Sequence, residues 1–157
     1  MVAAMRARTA LIATAMLAVP FWNALRAQDP VAPLPSQVEV PAMKTSIYVG
    51  SVTLRTTAFA RTGDAWAATY NARVFPWAFW SEHGEITIRV SESDLARLIA
   101  GETVEFTGDA RNHRGKPRAV TGRARPADAH TGAIKVRIHV DGTQLVFNGT
   151  YVLGTAP

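Results

Sequence analysis

At 157 residues, 48% of them hydrophobic, the chain has the length of one domain and enough apolar side chains for a packed core. It contains no cysteine, which excludes both a disulfide framework and a lipid carried on an N-terminal cysteine. The formal charge of +5 shrinks on inspection: Arg6, Arg8 and Arg26 fall in the first 27 residues, and the other 14 of 17 basic residues face 12 acidic ones, a net of +2. A strongly cationic nucleic-acid binder is thereby excluded, and any electrostatic role must be local.

In chain order, Arg6 and Arg8 precede a charge-free apolar run, Thr9 to Leu25, and "LRA" ends at Ala27. That pattern predicts a signal peptide over 1–27 and an exported protein, periplasmic or secreted. The apolar run is interrupted by Pro20 and is shorter than the ~20 residues of a spanning helix, so no membrane span is expected after cleavage; the alternative is a retained anchor. "QDPVAPLPSQVEVPAM", residues 28–43, holds four prolines and no period, and reads as an extended tether. A single β-rich domain is expected over 44–157.

From Thr45 the hydrophobic period is mostly two, the mark of half-buried strands. "SVTLRTTAFARTGDAWAATYNARVF" must turn near Thr62-Gly63-Asp64. A three-residue loop there opposes Ala60 with Trp66, Thr56 with Tyr70, Leu54 with Ala72 and Val52 with Val74, keeping apolar residues on one face. "EITIRV" turns Ile86, Ile88 and Val90 to one side. "TVEFTGDAR" and "AVTGRAR" form a hairpin that matches Val104, Phe106, Gly108 and Ala110 with Val120, Gly122 and Ala124, and sets Glu105 opposite Arg125. "AIKVRIHV" and "TQLVF" flank Asp141-Gly142, a two-residue hairpin loop that places Val140 opposite Thr143, Ile138 opposite Leu145 and Val136 opposite Phe147. One helix interrupts the strands: "SESDLARLIAG" has Ser91 as N-cap, Asp94 three residues on, a stripe of Leu95, Leu98 and Ile99, and Gly101 as its stop. Seven or eight mainly antiparallel strands with one short α-helix predict an all-β fold, a β-sandwich or small β-barrel.

The densest feature is "FPWAFW", Phe75 to Trp80. Strand alternation carried on from Val74 turns Phe75, Trp77 and Phe79 away from the core, while Pro76 invites a bulge that moves Trp80 to the other side. The simpler expectation is that the helix stripe covers these rings as a second small core. The other is that Phe75, Trp77, Phe79 and Trp80 bind an apolar or amphipathic ligand, or an envelope partner.

"RNHRGKPRAVTGRAR", Arg111 to Arg125, carries six basic residues and no acid. Arg114, Lys116 and Arg118, in the loop around Asn112–Arg118, are candidate anion contacts, the plain reading being that Arg114 and Lys116 merely crown a solvated turn. Ser81-Glu82-His83 has the residue types of a triad, yet adjacent positions cannot supply its geometry. His139-Val140-Asp141 and Asp128-Ala129-His130 lack metal-ligand spacing, so no metal, catalytic residue or cofactor is assigned. The leading expectation is an exported, non-enzymatic β-domain that binds through its aromatic residues. The alternatives are a hydrolase-type site around His83 and a purely structural envelope protein.

Overall fold

A computed structural model describes residues 34–154. The predicted leader and the first six residues of the predicted tether lie outside that range. Ten strands are present: β1 Gln37–Glu39, β2 Met43–Ile47, β3 Gly50–Thr56, β4 Phe59–Thr62, β5 Ala65–Phe75, β6 Glu82–Arg89, β7 Val104–Asn112, β8 Pro117–Pro126, β9 Thr131–Val140 and β10 Thr143–Gly154, with one helix, α1 Glu92–Ile99. β5 pairs with β6 on one edge and with β4 on the other, while β1 joins β4 to β10. Eight strands therefore close into an antiparallel barrel, with β2 and β3 as extra strands. Of the two architectures expected, the barrel is the one observed.

Closure draws on the segment read as a tether. The proline-free window Gln37–Glu39, between Pro35 and Pro41, supplies β1, and Val40 and Met43 are buried. Three residues suffice, because β1 needs to reach only Val152–Gly154 on one side and Phe59–Ala60 on the other. Beyond Pro41, β2 runs beside β10 with ladder bonds to β3 alone, leaving a seam in the wall.

The β9–β10 hairpin has the predicted register, with Asp141 and Gly142 both at positive φ as a two-residue turn requires. The β7–β8 register differs by two residues: Glu105 lies opposite Arg123, not Arg125, and Ala110 lies opposite Arg118. The faces are unchanged, because a shift of two preserves parity. The β4–β5 turn is also tighter than expected. Gly63-Asp64 is a two-residue turn that pairs Ala60 with Ala67, whereas β3 keeps the predicted pairs Thr56–Tyr70, Leu54–Ala72 and Val52–Val74. A bulge at Thr57-Ala58 absorbs the odd residue, and the Thr57 hydroxyl accepts the Thr69 amide at 3.0 Å in place of a ladder bond. Below the bulge, Phe59 and Arg61 point inward instead of Ala58 and Ala60.

The two ends of the barrel differ. At one end Ser91 caps α1, its hydroxyl accepting from the Asp94 amide at 3.1 Å, and Leu95 and Leu98 enter the core. Arg61 fastens that helix through Glu92 at 2.7 Å. Here large side chains fill the space over glycines: Phe106 over Gly122, Tyr151 over Gly132 and Met43 over Gly149. The opposite end collects the 48–49, 76–81, 113–116 and 141–142 connections and forms a mouth.

Gly50, at φ +141°, is where the β2–β3 hairpin meets the Phe75 carbonyl oxygen, with no room for a Cβ. Gly50→Ala is expected to cost about 3 kcal/mol in urea unfolding, from strain plus the collision. Gly63→Ala, at φ +62° with open space around it, costs about 1 kcal/mol. Equal losses would contradict this account of the hairpin.

Candidate functional site

The barrel interior follows from alternation, and its mouth half is not filled. Val52 and Leu54 on β3, Ala72 on β5, Ile86 on β6, Ala110 on β7, and Ile138 and Phe147 on β9 and β10 line a cavity of about 600 Å³ that opens at the mouth. The small residues explain the space. Gly122 and Gly132 are covered by aromatic rings, but Ala110 and Ala72 face the void.

A polar belt crosses one side of the mouth on consecutive strands. Arg118 on β8 is buried, its side chain 6% exposed, and donates to Glu82 of β6 (3.1 Å to Oε2) and to Asp141 (2.9 Å to Oδ1). The Tyr70 hydroxyl donates to Glu82 Oε1 at 3.0 Å and Asn112 Nδ2 to Oε2 at 2.9 Å. Asn112 also shapes the 113–116 turn, since its Oδ1 accepts the backbone amides of Arg114 and Lys116 at 3.0 and 2.9 Å. Burial alone would raise the Glu82 carboxyl. The hydrogen bonds from Arg118, Asn112 and Tyr70 outweigh it, and the group sits below its ordinary value. Burial, then the Glu82 charge, pushes the Tyr70 hydroxyl well up. The hydrogen bond to Glu82 foremost, with that to Asp141, holds the Arg118 guanidinium above its ordinary value, and Asp141 is lowered by the hydrogen bond from Arg118.

The other side of the mouth is aromatic. After Phe75 the chain leaves the sheet, and Ala78–Trp80 form a 3-10 turn rather than a continued strand. The excursion is closed by the Val74 amide donating to Ser81 Oγ at 3.0 Å. Trp77, Phe79 and Trp80 touch one another with centroids 5.2–5.9 Å apart, and Phe79 and Trp80 line the cavity entrance beside Tyr48 and Val49. Phe75 is 72% exposed and, like Trp77, lies outside the cavity lining. The expectation of a helix-covered second core is overturned: α1 packs on β7 and β8, and Leu95 and Leu98 join the main core. Phe75, Trp77 and Phe79 stand clear of the core as alternation predicts, but they do not share one strand face, because Pro76 ends the strand and the 3-10 turn has another period.

The three expected anion contacts separate. Arg114 and Lys116 are exposed at the mouth, Lys116 4.0 Å from Asp141. Arg118 is not in the loop but inside β8, already committed to two carboxylates. Ser81, Glu82 and His83 do not converge. Glu82 faces the cavity, while His83 is exposed and stacks on His113 with centroids 4.5 Å apart. No group of three potential ligands that could hold a metal occurs among the described residues.

Because Glu82 and Asp141 are depressed in the folded state, their contribution is complete above the unfolded carboxylate values and is lost as pH falls through the lower folded ones. Stability against urea is expected to drop as pH is taken below about 4, and Glu82→Gln flattens that acid limb. Arg118→Met, which leaves Glu82 without its cation, costs about 3 kcal/mol at neutral pH; adding Glu82→Gln to it restores part of the loss. Additive losses would show that the pair is not coupled.

Compared with family models, curated proteins and solved structures, the chain matches none.

Proposed function

We propose that this chain is an exported binding protein that holds one amphipathic small molecule in the mouth cavity of its barrel. The observation that carries the reading is the division of that cavity: apolar walls at Leu54, Ile86, Ile138 and Phe147, and polar groups gathered in the belt of Tyr70, Glu82, Asn112 and Arg118 and in the rim loops. A volume of about 600 Å³ is within the ~300–1,000 Å³ of small-molecule sites, which are concave, mostly apolar and few in polar contacts. The ligand enters tail first and leaves its head at the level of Asn112, Arg114 and Lys116. Arg118 is committed to Glu82 and Asp141, and Lys116 lies 4.0 Å from Asp141, so it is Arg114, together with Lys116, that favours an anionic head. The basic, then apolar, start of the sequence supports export.

Binding accounts for these features better than hydrolysis does. Glu82 spends both oxygens on structural hydrogen bonds, and the adjacent His83 faces the other side of the wall.

Titration with a fluorescent long-chain fatty acid is expected to show saturable one-to-one binding. Ala110→Trp, and independently Ala72→Trp, fill the cavity and weaken it at least about tenfold, ~1.4 kcal/mol. Phe75→Ser, outside the lining, leaves it unchanged. The reverse pattern would move the ligand to the outer aromatic patch and defeat the cavity reading.

A further inference from the structure

Eight large hydrophobic residues are exposed among the described residues, and six of them, Tyr48, Val49, Phe75, Trp77, Phe79 and Trp80, sit at the mouth end. A scatter of single exposed apolar residues needs no account, but a collar gathered at one pole of a barrel does. It is a built collar. The 76–81 excursion is pinned to β5 through Ser81, and three of its rings contact each other.

The charges beside it lean basic, four cations to three carboxylates. The 111–118 segment brings Arg111, Arg114, Lys116 and Arg118 to the mouth, with the Arg111 guanidinium hydrogen-bonded to the Gly115 carbonyl at 3.2 Å. Against them stand Glu82 and Asp141, both bound to Arg118, and Glu85 opposite Arg111 one strand away. The outward balance at the rim is cationic.

We propose that the mouth end docks on an anionic lipid bilayer, with Tyr48, Phe79 and Trp80 inserted among the headgroups and Arg114 and Lys116 on lipid phosphates. Tryptophan and tyrosine favour the membrane interface, and basic side chains beside them are attracted by anionic lipids. The cavity opens inside the same ring of residues. A docked mouth would pass an amphipathic molecule between bilayer and barrel without exposing its tail to water. That last step rests on the cavity reading; the docking itself does not.

Docking is tested by sedimenting the chain from Gln28 onward, the form expected after export, with vesicles of phosphatidylcholine alone or mixed with phosphatidylglycerol. Binding is expected to the anionic vesicles, with quenching of tryptophan emission by bromine-labelled lipid. Phe79→Ser with Trp80→Ser abolishes both signals, Arg114→Ala weakens binding about fivefold, and 0.5 M salt weakens it further. These positions are exposed, so the variants keep the fold of the parent. Ala110→Trp leaves vesicle binding intact even where it blocks fatty-acid binding, so failure of the cavity reading and failure of docking are told apart. No binding, equal binding to both vesicle types, or binding that survives Phe79→Ser with Trp80→Ser would overturn the proposal. So would a concentration-dependent dimer that the same pair of substitutions abolishes in place of vesicle binding.

Discussion

Closure of the ring through β1 is the constraint on which everything else depends. Three residues, Gln37–Glu39, bridge β10 and β4, and without them β10 and β4 would each present an open edge. Once the ring is closed there is one interior, and each inward side chain either fills it or leaves a void. At the helix end the interior is filled by Trp66, Phe106 and Tyr151 with Leu95 and Leu98 from α1. Toward the mouth the inward positions pass to Ala72 and Ala110, and the cavity follows from that change in side-chain size. Fold and cavity are thus set by the same alternation.

The mouth shows how such a void can stay open without loosening the barrel. A buried arginine would be costly alone, and so would Glu82, but each answers the other's hydrogen-bonding demand, and Tyr70, Asn112 and Asp141 take the remaining positions. The belt ties β5, β6, β7, β8 and the β9–β10 turn across the wall at the level where no apolar packing bridges the interior. The opposite side of the mouth is held differently, by the Ser81 bond and by ring contacts. One half of the rim is therefore polar and hydrogen-bonded within itself, and the other is aromatic and exposed.

Much of this was legible in the sequence wherever strict alternation met a recognisable turn. Asp141-Gly142 set the β9–β10 register correctly, and Ser91 with Asp94 marked the helix start. Legibility failed where one residue was inserted or a strand ran on. The Thr57-Ala58 bulge has no local signature, and it moved Phe59 and Arg61 inside. Arg118 was misread because the basic run suggested a loop; the inward series Val120, Gly122 and Ala124, extended back by two, already points to it. The same extension from Phe106 and Ala110 finds Asn112, and one carried back by four from Ile86 finds Glu82. β1 was hidden by prolines on both sides of it, because proline density says nothing about a three-residue window between them. The partnership of Arg118 with Asp141 joins residues 23 apart and depends on the β8–β9 register, which no local pattern encodes.

The central claim is that a preformed apolar cavity at the mouth is the place where a ligand sits. Methyl-resolved NMR during titration with a long-chain anionic amphiphile tests it most directly. The account predicts that signals of Val52, Leu54, Ile86, Ile138 and Leu145 shift together and saturate, while those of Leu98, Val104 and Leu153 at the helix end stay in place. Shifts spread evenly through both halves, or none in the first group while the ligand binds, would contradict it.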